Sequence, residues 1–313
     1  MRFDCRFIFL SLFVFSTPIF ATEPALPTPS GSISPPVPIF SSPIEEADFS
    51  LKEAGMPLEF INGIHKLFIS KSKKWQENAS KIIELNTFGF LGKSDYEQQD
   101  TKLARKKIRR YLKVHLSSFK VIRKKHLISP EAIASLLWVE TRHGKNMGNF
   151  SLVWVFYSMV MGAHPQFVNE MLALTPEYMS KGNPKNYTLV EAKEKVKERC
   201  KSKAQWALQE LKAILTIQNR NYFNPLRAKA SFAGAFGIPQ FIPSTYLKSA
   251  ISPFRNKPNL FKHSDAIASV ANFLVTNGWK EKEQSAQASA LFSYNRSKDY
   301  GLLILKLAQE VRN

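Results

Sequence analysis

Acids are scarce in this chain. Asp and Glu number 25 against 44 Lys and Arg in 313 residues, a formal net charge of +19 at pH 7. Such a deficit suits a polyanionic partner: nucleic acid, an anionic membrane or an acidic polymer. Cysteine is nearly absent, with only Cys5 and Cys200. Once Cys5 leaves with an N-terminal segment, no internal disulfide is possible. The six histidines are scattered without the His-Glu-x-x-His spacing of a zinc site. Glu140-x-x-His143 matches half of a helical di-iron motif, but the second half is missing. No glycine loop for phosphate and no Gly-x-Ser-x-Gly elbow occurs. Strand-rich stretches, repeats and heptad arrays are also lacking. Together these absences argue against metal and nucleotide chemistry and against a disulfide scaffold.

A short apolar run lies at the start. Arg2 and Arg6 precede Phe7–Phe15, and Ala21 offers a small-residue cleavage point. Basic start, apolar centre and small end predict a secretory signal peptide over 1–21. The run is too short to span a bilayer comfortably. Cys5 precedes it and is not placed as a lipid acceptor. Export puts the mature chain in the periplasm or cell envelope. It argues against nucleic acid as a partner, and it leaves membrane attachment only to an uncleaved signal. Residues 22–46 carry seven prolines, from Pro24 to Pro43, among serines and threonines. They read as an extended linker that cannot build a core.

From residue 47 to 313 the periodicity is helical almost throughout, so the expected fold is mainly α with at most a small β element. Phe60, Ile61, Ile64, Phe68 and Ile69 mark one short helix. Ile108, Tyr111, Leu112, Phe119 and Ile122 mark a longer one. Between Thr101 and Pro130 there are eleven Lys/Arg and no Asp or Glu. That run is either a solvated face or a rim that attracts an anionic polymer. Residues 174–204 are polar and contain Pro176, Gly182 and Pro184. They read as a surface insertion ending in a charged helix.

Glu140 breaks an apolar pattern. Ser129-Pro130 signals a helix start, Ile133, Leu136 and Leu137 mark one stripe, and Gly144 marks the end. Position 140 lies three and four residues beyond the two leucines and points the same way. A carboxyl there loses hydration and faces the negative end of the helix dipole, and both effects favour its protonated form. Such a group can serve as a general acid near neutral pH. The alternative is a core-edge glutamate paired with Arg142 or a lysine.

A second informative segment is Ala230-Ser231-Phe232-Ala233-Gly234-Ala235-Phe236-Gly237-Ile238-Pro239-Gln240-Phe241, followed by Pro243-Ser244-Thr245-Tyr246. Gly234 and Gly237 permit close backbone approach. Gln240 offers donor and acceptors beside aromatic surface, which suits sugar amides and hydroxyls. By itself the segment reads as a tight interhelical turn packed by three phenylalanines.

Together, Val139–Gly148, Ser231–Gly237 and Gln240–Ser244 resemble the lytic murein transglycosylases of the membrane-bound B type. The resemblance continues through Asp265–Phe273, Asn277-Gly278-Trp279, Tyr294-Asn295-Arg296-Ser297 and Tyr300. It implies a lysozyme-like catalytic domain with added helices over 47–313. It also implies cleavage of the β-1,4 bond from N-acetylmuramic acid to N-acetylglucosamine in peptidoglycan, leaving 1,6-anhydromuramyl ends. Matched by position, Glu140 is the sole acid/base. Ser231 contacts its carboxyl, and Gln240, Tyr294 and Asn295 line the site. Phe241 and Tyr246 are expected as groove walls. The implied partners are glycan strands and, in addition, cell-envelope proteins; no cofactor is implied.

The chain departs from that pattern in places. Ile238-Pro239 stands where Tyr-Gly is usual, and His143 stands for a tryptophan. Pro253–Asn259 is basic where the family has an acidic calcium loop, so no metal is expected there. The stretch from Trp279 to Tyr294 is short, implying a smaller accessory lobe. Two other functions stay open. A hydrolase of the goose-lysozyme kind would need Asp265 or Asp299 to position water, although Asp265 after Ser264 reads as a helix cap. A non-catalytic wall-binding scaffold would use the same groove.

Overall fold

Two helices are buried around nearly their whole circumference, and the fold is built on them. The computed structural model describes residues 39–91, 101–182 and 187–313. The expected signal peptide, and the linker up to Pro38, lie outside these residues. In α6 (Pro130–Thr141) every residue from Ala132 to Thr141 is buried, and in α7 (Leu152–Met161) all ten are. A helix without an exposed face is enclosed by others. Around α7 lie α1 (Pro43–Glu53), α3 (Trp75–Thr87) and α9 (Leu189–Asn219). Around α6 lie α4 (Lys102–Val114), α11 (His263–Thr276) and α13 (Lys298–Arg312). The remaining helices are α2 (Leu58–Ile64), α5 (Leu116–Lys125), α8 (Pro165–Lys181), α10 (Pro243–Ser249) and α12 (Gln284–Tyr294). The one sheet among the described residues pairs β1 (Phe150–Ser151) antiparallel with β2 (Lys229–Ala230), Phe150 opposite Ala230. The mainly α expectation with a small β element therefore holds. No described helix is long and apolar enough to cross a membrane.

Three boundaries differ from the sequence reading. Pro43, read as linker, is the first residue of α1, and the Ser42 side chain caps that helix by accepting from Glu45 N–H. The single basic helix is two, α4 and α5, separated at His115, whose φ of −107° and ψ of 24° leave the helical range. The described residues within 174–204 are helical and partly enclosed: α8 runs through Pro176, and α9 buries Ala192, Val196, Cys200 and Ala204. Strict four-residue spacing puts these small side chains on one face, which packs on α7 and α8. With 31 residues, α9 is about 46 Å long by its rise per residue. It starts at a capping box formed by Thr188 and Glu191.

Candidate active site

Glu140 lies in the last turn of α6 and is 3% exposed. Its Oε1 accepts a hydrogen bond of 2.5 Å from the Tyr300 hydroxyl of α13. Its Oε2 is buried with no hydrogen-bond partner. Burial pushes the carboxyl up to about 8, and the Tyr300 hydrogen bond draws it partly back. The same burial, with the Glu140 charge nearby, holds the Tyr294 phenol well above its usual range. Arg142 does not take the carboxyl as an ion pair; its guanidinium lies over the Trp138 ring at 4.7 Å. Replacing Tyr300 by Phe should raise the Glu140 pKa further, by roughly one to two units. A hydrogen bond to a charge is worth ~1.5–3 kcal/mol, and each pKa unit corresponds to about 1.4 kcal/mol. An NMR titration of the Glu140 carboxyl checks this; an unmoved titration would remove Tyr300 from the role.

The sequence marked Tyr300 only as a motif position. Its distance from Glu140, 160 residues, gave no local signal of their contact.

The helix does not stop at a lone glycine. Arg142, His143 and Gly144 all take left-handed conformations, at φ of 52°, 58° and 90°. At the other end Ser129 occupies the N-cap position, but its side chain does not cap. Its N–H instead donates to Glu281 Oε2 at 2.9 Å.

The two sequence motifs meet just beyond α6. Thr141 Oγ1 donates to Ile238 O at 2.8 Å and accepts from Gly144 N–H at 2.8 Å. Gln240, at φ 53°, donates from Nε2 to Gly237 O at 2.9 Å and to Met147 O at 3.4 Å. The Tyr294 hydroxyl reaches Pro239 O at 2.5 Å. The Ile238-Pro239-Gln240 corner is thus tied to the ends of α6 and α12. Gly234 has φ 78°, and a Cβ there would sit 2.2 Å from the Phe156 ring. That explains a glycine at this close approach.

Not every expected site residue reaches the site. Ser231 closes its own turn, its Oγ accepting from Ala235 N–H at 3.2 Å and its N–H donating to Ala235 O at 2.8 Å. The hydroxyl on Glu140 is that of Tyr300 instead. Phe241 and Tyr246 are 2% and 1% exposed, so they are core residues and not groove walls. Phe241 packs on Phe273 and Tyr294; Tyr246 donates to Pro258 O at 2.7 Å. Gln240 is 4% exposed and spends its amide N–H groups on backbone carbonyls, so it shapes the corner. Asn295 is buried at the end of α12, next to Tyr294.

Asp265 is fully buried and is occupied elsewhere. Its carboxylate accepts from Asn259 N–H at 2.7 Å and Ser252 Oγ at 2.8 Å, and Arg255 Nε lies 3.3 Å away. It therefore clamps the loop before α11 and does not cap its own helix. Asp299 is exposed on the first turn of α13. Neither supplies a second carboxylate beside Glu140. His143 stacks on Tyr111 at 3.8 Å and bonds Ala134 O through Nε2 at 2.9 Å. Burial lowers its pKa to about 4, so the ring is neutral at pH 7. No cluster that could hold a metal occurs among the described residues.

A buried, protonated carboxyl at the end of an enclosed helix, beside a glycine-rich corner, defines a candidate acid/base centre in a mainly helical fold. Residues 93–291 match the model of the Transglycosylase SLT domain family, and the chain belongs to that family. It is 28% identical over 160 residues to membrane-bound lytic murein transglycosylase B of Escherichia coli (strain K12). That match covers 51% of this chain and 34% of the relative, so the chain spans about a third of the relative's length. Among solved structures, E. coli lytic transglycosylase Slt35 in complex with calcium aligns with a TM-score of 0.60 at 17% identity. The alignment covers 86% of this chain and 92% of that one. Pseudomonas aeruginosa SltB3 in complex with NAG-NAM-pentapeptide aligns with a TM-score of 0.61 at 14% identity, over 88% and 80% of the two chains. The fold is thus the lysozyme-like one expected from the sequence.

Proposed function

We propose that this protein is a peptidoglycan lytic transglycosylase of the cell envelope, acting in the periplasm, with Glu140 as its acid and base. The observation that carries this reading is the Glu140 carboxyl itself: buried, held by one phenol and raised to about 8. At neutral pH it is protonated and can donate to the glycosidic oxygen between N-acetylmuramic acid and N-acetylglucosamine. Departure of the glycosidic oxygen leaves an oxocarbenium-like muramyl centre and an anionic Glu140. The carboxylate then removes the proton of the muramyl C6 hydroxyl as that oxygen bonds to C1. The product is a 1,6-anhydro ring, and Glu140 is protonated again. The Tyr300 hydrogen bond is strongest in the anionic state, between the two proton transfers.

A glycosidase of the ordinary kind needs two carboxylates, one for acid and one for base or nucleophile. Here one suffices, because intramolecular attack by C6–OH carries a large effective molarity. Glycan strands as substrate are supported by family membership and by the fragment bound to SltB3. Gln240, Tyr294 and Asn295 would hold the backbone corner and inner wall beside the reacting sugar.

Digesting purified wall in heavy-oxygen water tests the reaction. Fragments should lack a reducing end, be one water lighter than lysozyme products and carry no label. Labelled reducing ends would make the protein a hydrolase, and binding without fragments would make it a scaffold.

A further inference from the structure

The basic segment 102–125 exposes more than charge. On α4 and α5, and just beyond, Leu103, Val114, Leu116 and Leu127 are 58%, 65%, 52% and 83% exposed. These are large apolar side chains set among cations in a stretch with no Asp or Glu. On α4, Leu103, Lys106, Arg110 and Val114 follow the three- and four-residue spacing that defines one helix face, and all four are exposed. On α5, Leu116, Lys120 and Lys124 repeat the pattern at four-residue spacing, also exposed. The opposite side of α4 is committed to the core through Ala104, Ile108 and Tyr111. Arg109 is used internally, donating to the Val311 and Glu310 carbonyls of α13.

A merely solvated face has no need of four exposed leucine and valine side chains. A sugar and peptide polymer would attract the lysines and leave the leucines in water. An anionic bilayer matches both, taking ammonium groups at its phosphates and short apolar side chains at the acyl boundary. We infer that the outer surface of α4 and α5 docks reversibly on an anionic lipid bilayer, with the cations at the headgroups and Leu103, Val114, Leu116 and Leu127 inserted between them. This attachment is separate from any N-terminal signal, and it differs from the glycan rim considered for the same charges.

The test compares three full-length proteins by co-sedimentation with vesicles. One vesicle set is phosphatidylcholine alone and the other contains phosphatidylglycerol. The first variant changes Lys106, Arg110, Lys113, Lys120 and Lys124 to Gln; the second changes Leu103, Val114, Leu116 and Leu127 to Ser. Since every changed side chain is exposed, thermal unfolding should be retained, and measuring it excludes misfolding. The expected result is at least tenfold stronger wild-type binding to the anionic vesicles. Each variant should lose that gain about tenfold while wall lysis stays unchanged. Equal binding to both vesicle types overturns the inference. Loss in the lysine/arginine variant alone also overturns it, because no insertion then occurs. Binding of purified wall but not vesicles, lost in the Gln variant, assigns the surface to the wall polymer instead.

Discussion

Replacing Glu140 by Gln should abolish wall lysis and, at neutral pH, make the protein more stable. The first effect follows from removing the proton donor, since general acid catalysis is worth about 10²–10⁴ in rate. The second follows from linkage. In the unfolded chain the carboxyl ionises above its ordinary value of 4.5; in the fold it stays protonated up to about 8. Its contribution is therefore full below about pH 4.5, falls as pH rises towards 8 and is flat beyond. At pH 7 the loss is ~3 kcal/mol, taking about 1.4 kcal/mol for each unit. Glutamine does not ionise, and its carbonyl can still accept from Tyr300. Calorimetry should find the variant melting several degrees higher at pH 7 and level with wild type at pH 4. Lysis within tenfold of wild type would move the acid elsewhere. Equal melting at pH 7 would mean that Glu140 is ionised in the fold.

The second large effect is expected at Gly148. Its φ is 86°, and a Cβ there would lie 2.2 Å from Ala230 O, 2.4 Å from Ala230 C and 2.5 Å from Ser231 N. All three are backbone atoms, so nothing flexible can yield. Alanine must push the loop after α6 away from β2, breaking the approach that lets Gln240 reach Met147 O. The left-handed conformation costs alanine roughly 1–2 kcal/mol. With the clash, the total should reach ~3 kcal/mol or more, the range of severe single changes. Gly278 is the control, with the same φ of 86° but nothing within 4 Å of its added Cβ. Gly148→Ala should lower the melting temperature clearly more than Gly278→Ala, and it alone should cut lysis at least tenfold. Equal losses would mean that the strand contact does not organise the site.

Glu140 was legible because its burial is a matter of spacing. Three and four residues after Leu136 and Leu137, no helix could turn it to solvent without exposing the leucines. The meeting of Val139–Gly148 with Ser231–Gln240 was legible only by resemblance, since no local rule brings residues so distant together. The phenol on Glu140 was invisible for the same reason: Tyr300 belongs to another helix, and its own periodicity makes it core. Phe241 and Tyr246 were misplaced because small residues alternating with aromatics fit a sugar platform and a packed interior equally well. The extent of helix within 174–204 was obscured by Pro176, which usually ends a helix, and by alanines and one cysteine, a weak apolar signal. The break at His115 carries neither glycine nor proline, so the basic segment read as one helix.

Tyr300 sits on α13 and Glu140 on α6, 160 residues apart in sequence, so the docking of these two helices governs the state of the acid. Besides α13, α6 packs against α4 and α11, and those contacts can form without it. Until it docks, the Glu140 carboxyl lacks the donor that stabilises its anion between the two proton transfers. A chain clipped within α13, or one in which that helix has frayed, would hold a mistuned acid. The acid would thus be tuned only once α13 has docked on α6.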